Sequence, residues 1–271
     1  KGAREKFEML LKITQQMGFQ AGEATAWHNL ASIDINIGDC QAAQDKYEKA
    51  MKIRLRIGDR DGAAFTWNQL AIIDLEKGDH QAARVKFENA LNIFQQTGNL
   101  LGEASAWHNL ATVDLEREGD YQAAQEKFEN SMKIKQQIGD RAGEAQTWHQ
   151  LATIDFKKDD CQAARDKFKK ALKIVQLIGD MEGEAAVFYQ LGFLSWNEDY
   201  TQEGLRLMAI SHLITKSIGH EKAQLSLKSL SAMASQLKYS QESFDAMLKE
   251  VAESYSHDRG WSLIRVAFPE S

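Results

Sequence analysis

Three histidines recur at equivalent positions of the sequence, which raises the question of a metal site. His28, His108 and His149 each directly follow a tryptophan. Zinc requires each ligating nitrogen within about 2.1 Å, whereas packed helices lie about 8–10 Å apart. Histidines on successive repeats therefore do not converge easily on one ion. We predict neither a metal site nor a cofactor.

Four aspartates form a second recurring set, each next to a predicted core residue. They are Asp34, Asp74, Asp114 and Asp155. Carboxylates beside a core are costly unless they are paired or hydrogen-bonded. Two kinds of group could satisfy them: the ring N–H groups of the tryptophans, and lysines that recur equally regularly, Lys46, Lys86, Lys127 and Lys167. We predict that one of these two kinds of group holds each aspartate.

No set of residues in the chain resembles a catalytic centre. A nucleophile, a base and an orienting group do not converge anywhere, and no glycine-rich phosphate loop follows a strand. Cys40 and Cys161 lie just after a turn in two different repeats, where small, half-buried residues are expected. The sequence therefore predicts a protein that is not an enzyme.

The composition of the 271 residues narrows the class of protein further. Hydrophobic residues make up 43%, only one proline is present, and the formal net charge is -6. This acidic balance argues against nucleic-acid binding, which relies on a basic surface. Two cysteines form no disulfide framework and indicate a reducing compartment. Without a run of about 20 apolar residues or a signal peptide, we predict no membrane partner and a cytoplasmic location. The start at Lys1 suggests a fragment.

An internal repeat organises most of the sequence. Glycines mark its period at positions 22, 62, 102, 143 and 183, so the spacings are 40, 40, 41 and 40 residues. The predicted units are a half repeat at 3–18 and full repeats at 22–58, 62–98, 102–139, 143–179 and 183–219. We assign residues 1–220 to the repeat array and 221–271 to C-terminal capping helices with an apolar tail. Such arrays are stabilised by contacts between neighbouring units.

Each unit reads as two helices separated by a glycine–aspartate turn. In the first unit, apolar residues recur at helical spacing before and after this turn: Ala26, Leu30, Ile33 and Ile37, then Ala43, Tyr47, Ala50, Met51 and Ile53. Gly38 permits a left-handed residue, and Asp39 can cap the second helix. Neither helix can bury its apolar stripe alone. The helices are therefore expected to pair and the pairs to stack.

At these positions the sequence resembles the tetratricopeptide repeat (TPR) family. The signature residues of the first unit are Trp27, Leu30, Ala31, Ala43, Tyr47 and Ala50, and closely similar sets begin at Trp67, Trp107 and Trp148. The longer period and the missing helix-ending proline are similar to kinesin light chains, Pins-type adaptors and the sensor arrays of MalT-type STAND ATPases. The resemblance implies an all-α fold: a right-handed superhelical solenoid of antiparallel helix pairs with a C-terminal helical cap. First helices would line its concave groove.

The resemblance also places a carboxamide in the groove of every unit. These residues are Asn29, Gln69, Asn109, Gln150 and Gln190, and they are joined on the same face by His28, His108, His149, Thr112, Thr153 and Phe193. An amide both donates and accepts hydrogen bonds, as binding an extended peptide backbone requires. The alternative is that the carboxamides are ordinary polar residues or bridge neighbouring repeats. The histidines would make such a groove sensitive to pH.

We therefore predict a protein-interaction scaffold that binds a peptide or protein segment in its groove. Paired lysine and arginine residues that grip a terminal carboxylate are missing, which favours an extended or helical segment with apolar anchors and some basic residues. The scaffold would be the sensor or adaptor part of a larger protein. The alternative function is a structural module that self-assembles through the ends of the array or through the tail.

The C-terminal region departs from the repeat. Residues 224–239 and 240–255 each read as a helix, with Ser240 as a cap. The tail after them is apolar at Trp261, Leu263, Ile264 and Phe268. It is expected to fold back on the cap in cis. The alternative is self-association through these four residues.

Overall fold

The computed structural model describes residues 2–117 and 119–269, and in that part of the chain every regular element is an α-helix. Contacts divide the chain after Gly139 into two compact units. The first contains α1 (Gly2–Gln16), α2 (Gln20–Asn36), α3 (Cys40–Ile57), α4 (Arg60–Glu76), α5 (His80–Thr97), α6 (Leu100–Arg117) and α7 (Tyr121–Ile138). The second contains α8 (Arg141–Lys157), α9 (Cys161–Ile178), α10 (Met181–Asn197), α11 (Thr201–Ser217), α12 (Ala223–Gln236), α13 (Gln241–Asp258) and α14 (Trp261–Ala267). The division predicted at residue 220 stays a prediction.

The turns between helices follow the predicted glycine–aspartate chemistry. Gly38 has a φ of 83°, in the left-handed region, and Asp39 accepts a hydrogen bond from the Ala42 N–H at 3.0 Å. The same cap recurs at Asp59, Asp79, Asp120, Asp140, Asp160 and Asp180. Where the glycine is replaced, as at Asp159 and Asp199, an aspartate adopts the positive φ instead, which this residue type tolerates better than most. Turn residues thus set the helix boundaries.

Within each repeat the two helices pack closely because small residues lie between them. Ala31, Ala43 and Ala50 have no exposed surface. Next to them, Tyr47 is also fully buried, and burying a side chain of this size stabilises the fold by roughly 1.5–3 kcal/mol. The expectation for Ile37 was wrong: α2 ends at Asn36, and Ile37 is 67% exposed. Ile37 lies outside the buried stripe because the helix ends before it and the chain turns there.

The C-terminal helices complete the core of the second unit. Ser240 caps α13, its hydroxyl accepting from the Ser243 N–H at 3.1 Å. Helix α14 packs against α11 and α13, and Ile264 and Phe268 are only 1% and 3% exposed. Trp261 and Leu263 are partly buried against the same core. The structure thus shows the tail packed in cis, and self-association through these residues would require α14 to leave the core.

Candidate functional site

The aspartates of the repeats are bound by the repeating lysines, one of the two kinds of partner predicted for them. Lys46 Nζ donates to Asp34 Oδ2 at 2.5 Å, and Lys127 Nζ donates to Asp114 Oδ2 at 2.6 Å. Lys86 pairs with Asp74 and Lys167 with Asp155 in the same way. In each pair the lysine comes from the second helix of the same repeat. These carboxylates therefore hold helix pairs together.

Arginines from a preceding helix strengthen two of these pairs. Arg4 also contacts Asp34, and Arg84 also contacts Asp114, which links neighbouring repeats. Burial by itself would raise the pKa of Asp34, but hydrogen bonds from Lys46 and Arg4 hold that pKa below its usual value. Sequence reasoning missed the arginines, because they recur at only some of the units.

The tryptophan ring N–H groups take a different acceptor. Trp27 Nε1 and Trp107 Nε1 donate to the carboxylates of Glu23 and Glu103, each at 3.4 Å and one turn earlier on the same helix. The alternative that tryptophans satisfy the aspartates is therefore wrong for these two repeats.

The three histidines are packed inside their own repeats. The rings of His28, His108 and His149 meet an aromatic ring of the second helix edge-on, with centroids 5.0, 5.0 and 5.4 Å apart. Burial, followed by the charge of Arg54, lowers the pKa of His28 to about 4. Burial and Lys135 lower the pKa of His108 to about 3, and burial lowers the pKa of His149. Burial thus disfavours the charged form of all three rings, which does not favour a groove whose binding changes with pH near 7.

The predicted carboxamides fall into two groups. Asn109 Nδ2 donates to Asn68 Oδ1 of the preceding repeat at 3.2 Å, so at this position the bridging alternative holds. The other four are partly exposed, and their amides have no hydrogen-bond partner among the described residues. Asn29 and Gln69 belong to the first compact unit (residues 1–139), and Gln150 and Gln190 belong to the second (residues 140–271). Those four amides are available to a ligand.

The remaining predicted residues are less available. The hydroxyls of Thr112 and Thr153 donate to the carbonyl oxygens of His108 and His149, at 3.2 and 2.9 Å. Because each hydroxyl hydrogen is already donated, these two hydroxyls can only accept hydrogen bonds from a ligand. Phe193 is 38% exposed and packs edge-on against Phe156, with the two ring centroids 5.8 Å apart. It offers an apolar surface.

Two adjoining clefts bring several predicted residues together in the second unit. The cleft between α8 and α10 has a volume of about 690 Å³ and is lined by His149 and Gln150. The cleft between α10 and α12 has a volume of about 470 Å³ and is lined by His149, Tyr189 and Gln190. Thr153 and Phe193 line neither cleft. The other predicted residues belong to the first unit: His28, Asn29, Gln69, His108, Asn109 and Thr112.

Sequence reasoning missed the small residues that open these clefts. Ala142 and Ala186 line the first cleft, and Ala186 also lines the second. Both lie on first helices, and their small side chains leave room between neighbouring repeats. An alanine on the groove face of a first helix is the signal that could have revealed them.

Residues 2–117 and 119–269 were compared with two simple structural requirements, those of a membrane-spanning helix and of a metal-binding cluster. No helix there is long and apolar enough to cross a bilayer. Nor do those residues contain a group of three or more His, Cys, Asp or Glu side chains suited to hold a metal ion.

Comparison with known proteins identifies the repeat. A tetratricopeptide repeat family model matches residues 22–96 and 102–176. The chain belongs to the TPR family. The predicted fold class, an all-α TPR solenoid of antiparallel helix pairs, is confirmed. This repeat is generally a non-enzymatic protein-interaction scaffold. No curated protein matches this TPR chain.

Solved structures share the TPR fold at low sequence identity. BtubC (BKLC) from P. vanneervenii is 15% identical with a TM-score of 0.61, and the match covers 88% of this chain and 92% of that one. The Cut9–Hcn1 hetero-tetramer of APC/C is 17% identical with a TM-score of 0.64, and the match covers 98% of this chain and 46% of that one. A STAND signal-transduction ATPase with a TPR sensor from Pyrococcus horikoshii is 14% identical with a TM-score of 0.59. That match covers 96% of this chain and 46% of that one. At such identities the likeness shows the fold of this TPR chain and nothing finer.

Proposed function

We propose that the protein is a non-enzymatic scaffold that binds a peptide or protein segment on the face formed by its first helices. One observation carries the proposal: the unpartnered carboxamides of Gln150 and Gln190 lie in two adjoining clefts of the second unit. An extended peptide presents N–H and C=O groups at regular intervals. An amide side chain can satisfy either of them.

The lining of the clefts supports a polypeptide rather than a small charged ligand. Apolar surface from Ala142, Ala186 and Val187 alternates with polar groups. The cleft between α8 and α10 has no lysine or arginine in its lining, so it offers no grip for a terminal carboxylate. A segment with apolar anchors fits this surface better.

Two proteins with a similar fold are compatible with a sensor or adaptor role for this chain. The STAND ATPase carries its TPR array as a sensor, and a Rap protein, 11% identical, was solved in complex with competence and sporulation factor. By analogy, we take the array to be the ligand-binding part of a larger protein. The free thiols of Cys40 and Cys161 suit a reducing compartment such as the cytoplasm.

Selection from a displayed library of random 12-residue peptides tests the proposal. Selected peptides should bind a Gln150→Ala/Gln190→Ala variant at least ten times more weakly than the wild type. Gln162→Ala is the matched control, because Gln162 is an exposed glutamine on the second helix α9. Equal peptide binding by the wild type, the double variant and the control would show that the groove does not bind the peptides.

Self-assembly is the alternative function, and the packing of α14 weakens it. Because Ile264 and Phe268 are buried in their own unit, the apolar tail is not free to join a second chain. Light scattering of the full chain over a hundredfold concentration range separates the two functions. A mass that rises with concentration would favour assembly.

A further inference from the structure

The cleft between α8 and α10 has an acidic lining. Asp140, Asp180 and Glu182 all line it. The two aspartates each use one oxygen to cap a helix, accepting from the N–H of Gly143 and of Gly183 at 2.9 Å, and the other oxygen remains for a ligand. Glu182 is exposed. With no basic residue in the lining, this end of the face attracts a positive charge.

An apolar pocket lies at the other end of the same face, between α10, α11 and α12. Its volume is about 300 Å³, and its apolar lining consists of Tyr189, Met208, Leu225, Leu230 and Met233. Leu225 is 64% exposed and Tyr189 is 50% exposed, so part of the apolar lining is open to solvent. Methionines adapt readily to different side-chain shapes.

A lysine near the apolar pocket gives the two ends of the face different charges. Lys222 lies in the lining of the apolar pocket and of the cleft between α10 and α12, so it repels a basic side chain from that end. His149 also lines the acidic cleft, and burial lowers its pKa and so disfavours a positive charge on the ring. The charged residues of the lining therefore change along the face, from three carboxylates in the cleft between α8 and α10 to Lys222 in the apolar pocket.

The clefts join into one continuous surface. His149, Glu182 and Ala186 line both the first and the second cleft, and Tyr189 and Lys222 line both the second cleft and the apolar pocket. Glu182 lines the acidic cleft and Tyr189 lines the apolar pocket, and both lie on α10. The seven residues from one to the other rise roughly 10 Å at about 1.5 Å each. An extended chain covers that distance in about three residues, at roughly 3.3 Å each.

We propose that this face recognises an extended polypeptide segment with a lysine or arginine and a leucine, methionine or phenylalanine about three to four residues apart. The basic side chain lies against Asp140, Asp180 and Glu182, and the apolar side chain enters the pocket of Tyr189, Leu225 and Met233. The inference rests on the proposed peptide binding, and adds the chemistry and the polarity of the ligand.

The probes are peptides selected on the wild-type chain from the random 12-residue library. Clones whose binding depends on Gln150 and Gln190 should be enriched in the basic–apolar pair at this spacing. For one synthetic clone, Glu182→Lys in the protein should weaken binding at least tenfold, and exchanging the basic residue of the peptide for glutamate should restore it. Leu225→Glu should also weaken binding tenfold, and only for peptides that carry the apolar residue. Circular dichroism verifies that each variant folds.

The outcomes separate the inference from the proposed function. Clones that depend on Gln150 and Gln190 but lack the basic–apolar pair would overturn the inference and leave the proposed function intact. Failure of the charge exchange to restore binding to the Glu182→Lys variant would also overturn it. If no clone depends on the two glutamines, the proposed function falls, and the inference with it.

Discussion

The guanidinium of Arg259 is ion-paired with the carboxylate of Glu184, although 74 residues lie between them in the chain. Glu184 has no exposed surface. It also accepts from the Tyr255 hydroxyl at 3.0 Å and from Gln176 Nε2 at 2.8 Å. Burial, with a smaller contribution from Glu184, raises the pKa of Tyr255 to about 12. This network ties the turn after α13 to the first helix of the last repeat.

Arg259→Ala should loosen the C-terminal helices. Removing one partner of a fully buried pair costs about 3–5 kcal/mol. We expect about 1–3 kcal/mol here, because Arg259 is partly exposed and two donors to Glu184 remain. Urea unfolding followed by tryptophan fluorescence measures the change. Arg265→Ala is the control, since that side chain is 71% exposed and its pair with Asp258 spans 3.4 Å. Equal effects would mean that the Glu184 network does not stabilise the cap.

The aspartates should differ in their effects according to their burial and partners. Asp114→Ala leaves Lys127 and Arg84 without their carboxylate and should reduce the free energy of unfolding by about 2–4 kcal/mol. Asp74→Ala should cost less, because Asp74 is more exposed and pairs with Lys86. Denaturant titrations of both variants test this order. The reverse order would contradict the role of the double pair.

Buried histidines predict a loss of stability in mild acid. In the folded chain the pKa of His108 is about 3, below its ordinary value of 6.5. Between these values the unfolded chain binds more protons, so the stability that is present above pH 6.5 declines as the pH falls towards 3. His108→Gln should remove about 1–2 kcal/mol of the decline between pH 7 and pH 4.5. Urea midpoints at both pH values measure it, with the exposed His257 replaced by glutamine as the control.

Two asparagines at equivalent positions provide a matched test of the bridge between repeats. Asn109→Ala breaks the hydrogen bond to Asn68, which is 6% exposed, and should cost about 1 kcal/mol. Asn29→Ala breaks no hydrogen bond to a described residue and should stay within about 0.5 kcal/mol of the wild type. Thermal unfolding of the two variants compares them. Indistinguishable melting temperatures would show that the bridge contributes no stability.

The local order of the chain could be predicted from its residues. Apolar spacing and the Gly38–Asp39 turn predict the helix pair of a repeat, because both depend on neighbours within a few positions. The repeat also indicated Lys46 and its counterparts as one of two kinds of partner for Asp34 and its counterparts, because a helix hairpin brings residues about 12 positions apart together. The structure selects the lysines, since Lys46 donates to Asp34 whereas Trp27 donates to Glu23. Every unit obeys the same register, so one correct interpretation holds for most of the array.

What the sequence determined by itself is therefore the repeat, its turns and the two kinds of group that could hold the repeated aspartates. Only the tertiary structure decided which carboxamides are free, since the bridge from Asn109 to Asn68 depends on how neighbouring repeats stack. It also decided where Ala142 and Ala186 open a cleft and that Arg259 reaches Glu184. These contacts join distant segments whose approach is set by the packing of whole helices. No local pattern of residues records that geometry.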